Sequence, residues 1–199
     1  MTDIHSHHRT PRALPGLLTM AAVLLSACHS IHQDRLDQFE AALGADASAT
    51  RALEGWCRDY GLATPAVITV EHVPGATRQP TAELRALLHA PSSQTLRYRH
   101  VRLRCGQVVM SVAHNWYVPD RLTAKMNQQL DHSDVPFGRI VQPLGFSRER
   151  LSTSRIGDPA CARGTVLVQR AILRLPKSTP LAMVIECYPR SVLKGRPVQ

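Results

Sequence analysis

Pro180-Leu181-Ala182-Met183-Val184-Ile185-Glu186-Cys187-Tyr188 reads as the central strand of a sheet. Five consecutive apolar residues, Leu181 to Ile185, are the pattern of a strand covered on both faces. Glu186 interrupts that run. A carboxylate buried without partners is costly, so it must either face solvent at the strand end or sit in a pocket built to use it.

Outward from this strand, Thr165 to Leu175 (TVLVQRAILRL) supplies a partner, and the two form a hairpin across Pro176 to Pro180. A second hairpin is expected from Leu96 to Cys105 (LRYRHVRLRC) and Val108 to Val118 (VVMSVAHNWYV), turning at Gly106-Gln107. Its basic residues Arg97, Arg99, His100, Arg102 and Arg104 suit a solvated sheet face. One or two of them pointing into a cavity could instead clamp a carboxylate. Pro65 to Val73 is β-branched and reads as the first strand, and the polar Ser147 to Arg155 as an extended segment. Helical stripes run over Ser30 to Gly44, from an N-cap at Ser48 to Tyr60 with Gly61 ending it, over Thr81 to His89, and over Leu122 to Leu130. Val135-Pro136-Phe137-Gly138-Arg139 marks a turn or a helix start whose backbone N–H groups could meet an anion. The grouping predicts an α+β domain: a largely antiparallel sheet of about five to six strands with helices packed on one side.

The beginning of the chain reads as an address. Arg9 and Arg12 precede an apolar stretch, Leu14 to Leu25, too short and interrupted for a membrane span. Leu25-Ser26-Ala27-Cys28 then resembles the lipobox of bacterial lipoproteins. The resemblance implies cleavage before Cys28, acylation of that cysteine and a lipid anchor whose three acyl chains exceed the two membrane signals that stable anchoring needs. His29 rather than an acid follows, which by analogy implies the periplasmic face of the outer membrane. The expected organisation is residues 1–27 signal peptide, 28–47 anchor and linker, 48–193 folded domain and 194–199 tail.

The chain has 199 residues with 24 Lys and Arg against 15 Asp and Glu, a net charge of +9. Losing Arg9, Arg12 and Asp3 with the leader lowers this to +8. The remaining 172 residues suffice for one domain with a core. The basic excess suits an anionic partner, but no zinc-finger spacing or helix-turn-helix signature points to nucleic acid. Cys57, Cys105, Cys161 and Cys187 invite disulfides in an oxidising compartment, and three pairings are open. No C-x-x-C or His-rich spacing suggests a metal, and no cofactor is expected.

The order of parts also resembles chorismate lyase. The matching pieces are His100 to Cys105 before a glycine turn, Tyr117-Val118-Pro119, Val135-Pro136-Phe137-Gly138-Arg139, Ala171 to Leu175, and Pro180 to Glu186, within roughly Ser48 to Leu193. The same fold serves as the effector-binding domain of some bacterial transcription regulators. The resemblance implies an enclosed pocket for a small aromatic carboxylate such as 4-hydroxybenzoate. It places Glu186 at the position that meets the ligand hydroxyl, and Phe137 with Gly138 at the turn whose backbone contacts ligand. Ala49 falls on a lining position at a helix start. The arginine that takes the carboxylate falls on His100, with Arg102 two residues along the same strand face as the substitute. Three functions are open: a lipid-anchored binder of a small aromatic or carboxylate ligand, an active lyase releasing pyruvate from an enolpyruvyl ether through Glu186 and Arg102 or His100, and a structural lipoprotein without a ligand.

Overall fold

The computed structural model describes residues 33–75 and 77–198. Cys28 and the whole leader lie outside the described residues.

Helix α1 covers residues 33–45. It is followed by α2 (Ala49–Asp59), β1 (Ile68–His72), α3 (Ala82–Leu87), β2 (Arg97–Cys105) and β3 (Val108–Tyr117). Then come α4 (Ala124–His132), α5 (Phe137–Val141), β4 (Ser147–Ser154), β5 (Thr165–Arg174) and β6 (Pro180–Pro189). The six strands form one sheet in the order β1-β2-β3-β6-β5-β4, with every neighbouring pair antiparallel. β6 therefore sits inside the sheet, and each of its residues from Pro180 to Tyr188 is buried. This is the α+β architecture expected from the sequence.

Local signals fix the elements. Ser48 Oγ accepts from Arg51 N, Thr81 Oγ1 from Leu84 N and Thr123 Oγ1 from Met126 N, so α2, α3 and α4 each begin on a hydroxyl cap. α2 ends where Gly61 takes a φ of +58°, a conformation glycine adopts at no steric cost. The β2–β3 turn uses Gly106 at φ +53°, and a side chain there would also meet Ala63 Cβ at 2.7 Å.

Alternate side chains of a strand face opposite sides of the sheet, and both sides are covered here. On one side α1 and α2 bury Leu36, Phe39, Leu43, Leu53 and Trp56 against Val101, Leu103 and Tyr188. Phe39 packs edge-on to Trp56 and Tyr188, with centroids 5.0 and 5.2 Å away. Further along the same side, α4 and α5 bury Met126, Leu130, Phe137 and Ile140 against Tyr117 and Leu173. On the other side, short α3 brings Leu84 and Leu88 onto Trp116, Ile172, Met183 and Ile185. The packed unit begins at Leu36, earlier than the boundary at residue 48 read from the sequence, because the α1 stripe is core.

The open cysteine pairing resolves into Cys57–Cys105 and Cys161–Cys187. The first ties α2 to the end of β2, and the second ties the loop before β5 to β6. They close loops of 48 and 26 residues, for which loop-closure entropy gives about 4 and about 3 to 4 kcal/mol. Reduction is therefore expected to lower the thermal midpoint sharply, with Cys57→Ala/Cys105→Ala costing more than Cys161→Ala/Cys187→Ala. Calorimetric melts of the two double variants check the order.

Candidate functional site

Between the α1–α2 core and the α4–α5 core, the covered side of the sheet is left open. The N-terminal ends of α2 and α5 border a hollow there. Its floor is Val101, Leu103, Ala113, Val184 and Leu173, and its roof includes Ala49, Phe137 and Gly138. A Cβ on Gly138 would sit in ordinary contact, 3.5 Å, with both Ser48 Oγ and Thr50 Oγ1 in the roof. The hollow measures about 50 Å³, on a scale where one water needs roughly 10–15 Å³.

Two guanidinium groups and a carboxylate face this hollow. Glu186 projects from β6 and is only 6 % exposed. Arg148, from β4 two strands away, forms a salt bridge to Glu186 Oε2 with both side chains almost fully buried. Arg148 Nη2 also donates to Gln169 Oε1 at 3.1 Å, and Tyr188 OH donates to Glu186 Oε2 at 3.1 Å. Burial works against the Arg148 charge, but the Glu186 carboxylate outweighs it and holds the guanidinium above its ordinary pKa. Burial pushes the Tyr188 phenol far up, and the neighbouring carboxylate adds to this.

Arg99 is different. It projects from β2 into the same hollow and is 6 % exposed. Its Nε and Nη1 have no hydrogen-bond partner among the described residues, and Nη2 has one long contact, 3.4 Å to Val135 O. Burial pulls its pKa down to about 10, with Tyr117 and Asp131 opposing. With Glu186 neutralised by Arg148, the hollow keeps one uncompensated positive charge, and Asn115 lines it as an adaptable polar group.

His100 and Arg102, expected from the sequence to clamp a carboxylate, do not line the hollow, whereas Arg99 on the same strand does. β2 is buried at Arg99, Val101, Leu103 and Cys105, so the even-numbered residues face the other side of the sheet. Arg102 pairs with Glu71 at 2.6 Å across the β1–β2 edge, and Arg104 joins at 2.8 Å. Arg104 and then Arg102 hold the Glu71 carboxyl below its usual range. His100 stacks on His114, with ring centroids 4.3 Å apart and planes 18° from parallel. The remaining residues singled out from the sequence, Glu186, Phe137, Gly138 and Ala49, do line one hollow. Arg99 had a signal, since it shares the parity of the apolar Val101 and Leu103. Arg148 had none, because β4 reads Ser-Arg-Glu-Arg-Leu-Ser-Thr-Ser without an apolar face. Among the described residues no three His, Cys, Asp or Glu side chains cluster to hold a metal ion.

The histidine pair on the far side carries a pH dependence. Tyr98 OH lies 2.7 Å from His114 Nδ1, and both ring nitrogens of His100 lack partners among the described residues. Burial first, then His100 and Arg78, depresses His114 to about 4, against the pull of the Ala160 backbone and Asp158. Burial, Arg78 and Arg102 lower His100 as well. An unfolded histidine takes its proton near ~6.5, so the unfolded chain binds more protons than the folded one below that pH. Stability is full above that pH and falls as pH drops towards 4. Thermal midpoints at pH 7, 6 and 5 are expected to decline, and His114→Gln is expected to flatten that slope.

No known family model matches the chain. It is 37% identical over 177 residues to the uncharacterized protein y4mC of Sinorhizobium fredii (strain NBRC 101917 / NGR234), covering 79% of this chain and 75% of that protein. The fold is the chorismate lyase-like one of bacterial regulator effector domains. The structure of PhnF from Mycobacterium smegmatis matches with a TM-score of 0.53 and 11% identity, covering 77% of this chain and 68% of that one. The effector domain of PhnF alone matches with a TM-score of 0.52 and 11% identity, covering 72% and 88%. At that identity the likeness is one of fold. The chain belongs to the same family as y4mC.

Proposed function

We propose that this protein is a lipid-anchored periplasmic binder of a small monocarboxylate, held in the hollow by Arg99. The observation that carries the reading is Arg99 itself: a buried guanidinium with two nitrogens unpartnered among the described residues, facing an open space. A guanidinium presents a planar fork matched to a carboxylate, and a buried one without partners is costly unless something completes it. The ligand supplies the missing anion. Three to five waters at ~30 Å³ each correspond to on the order of 100–150 Å³ of ligand, the bulk of one ring bearing a carboxylate. A larger enolpyruvyl ether exceeds that space, and Glu186 is engaged by Arg148 and Tyr188 rather than free to move a proton. Both observations favour binding over turnover. The likeness in fold to an effector domain supports the same reading.

The anchor rests on Leu25-Ser26-Ala27-Cys28, and the two disulfides fit an oxidising compartment. Benzoate, 4-hydroxybenzoate and their neutral amides, titrated calorimetrically into the protein, test the site. Acids that bind while the amides do not support it, and silence from every acid ends it. Incubation with chorismate tests the lyase alternative: released 4-hydroxybenzoate replaces the binder reading with the enzyme. Labelled palmitate incorporated by wild type and lost in Cys28→Ser tests the tether.

A further inference from the structure

The side of the sheet opposite the Arg99 hollow holds a larger cavity, of about 320 Å³. α3 forms one wall. Asp158, Pro159 and Ala160 form another, just before Cys161, whose disulfide to Cys187 fixes that loop to β6. The floor is apolar and comes from strands: Trp116 from β3, Met183 and Ile185 from β6, with Leu84 and Leu87 above them on α3. Nothing in the Arg99 site uses these residues, because they have the opposite strand parity.

The rim is polar and carries two arginines and two acids, Arg78, Arg170, Asp158 and Glu83. Arg170 grips Asp158 through Nε at 2.9 Å and Nη2 at 2.7 Å, so that pair cancels. Arg78 stands at the same end, is exposed, and makes no side-chain hydrogen bond or salt bridge among the described residues. Its charge is felt by Asp158, His100, His114 and Tyr98, all of which it pulls down. The remaining acid of the lining, Glu83, lies in the first turn of α3.

We propose that this cavity is a second small-molecule site, for a planar aromatic carboxylate larger than a single ring. The volume lies within the range of small-molecule pockets. A flat apolar body would pack on Trp116 and the Met183 sulfur, and its carboxylate would meet the Arg78 guanidinium at the mouth. The two sites sort ligands by size: one ring under α5, a fused pair of rings under α3.

Calorimetry with 2-naphthoate on the purified full chain tests this. The expected result is binding in wild type and in Arg99→Met, a loss of about tenfold in Arg78→Ala, and none in Leu87→Trp, which fills the cavity from a half-buried position. Circular dichroism of Leu87→Trp confirms its fold, and Arg78→Ala, on an exposed loop, decides the matter if that variant does not fold. No binding in wild type up to about 1 mM, or binding lost in Arg99→Met and kept in Arg78→Ala, overturns the site. Neutral 2-naphthol binding as tightly as 2-naphthoate overturns the anionic class of ligand.

Discussion

Arg99→Met is expected to give a protein that is more stable and binds its ligand far more weakly. The two effects have one cause. Arg99 lies buried, with Nε and Nη1 unpartnered among the described residues and with its pKa drawn down to about 10 by burial. An unpaired buried charge destabilises the folded state, and methionine fills a similar length without it. The gain should be on the order of 2 kcal/mol, seen as a rise in thermal midpoint of roughly 4–8 °C for a domain of this size. In the same variant the carboxylate loses its guanidinium. A charge-assisted contact of about 2 kcal/mol corresponds to roughly 30-fold in Kd. A variant that binds benzoate or 4-hydroxybenzoate as tightly as wild type removes Arg99 from the site. A drop in midpoint would show that the guanidinium already has a partner in solution.

Glu186→Gln is expected to do the opposite and to be the most damaging single change in the hollow. It leaves Arg148 buried and charged with no carboxylate facing it. Breaking a buried pair from one side costs about 3–5 kcal/mol, because the remaining ion is uncompensated. The Tyr188 phenol would also exchange a charged acceptor for a neutral amide oxygen, a weaker hydrogen bond. The double variant Glu186→Leu/Arg148→Met removes both charges and should recover most of the loss, since apolar replacements of buried pairs are often neutral. Denaturant unfolding of the single and double variants measures this. A double variant no more stable than Glu186→Gln would mean that the pair holds the strands together by more than mutual compensation.

The fold was largely legible because its determinants are local. The run Leu181 to Ile185 announced an interior strand, the alternation either side of Gly106-Gln107 announced a hairpin, and a hydroxyl cap at Ser48 marked the start of α2. The site was legible only in part. Glu186 stood out as an acid in an apolar run. Ala49, Phe137 and Gly138 came from the order of motifs, and the structure brings them together. Counting along an ungapped strand pointed to His100 or Arg102, whereas the apolar parity of Val101 and Leu103 marks Arg99 as the basic residue of β2 that faces the hollow. Arg148 could not be found from its own neighbourhood. It reaches Glu186 only because the strand order places β5 between them, and strand order is a property of the whole chain. The disulfide pairing has the same character, since Cys57 and Cys105 meet through the packing of α2 on β2.

That first disulfide gives the two walls of the Arg99 hollow unequal freedom. α2 is bolted at Cys57 to the end of β2, and the Trp56 indole N–H donates to Val192 O at 2.8 Å a residue away. α5 has five residues, no side-chain cap, and Gly145 at φ +66° just beyond the turn that follows it. The α5 flank is fastened to α2 by the Arg139–Glu54 salt bridge and not by a covalent bond, so parting the two walls on that side would cost a partly exposed ion pair and leave the disulfide whole.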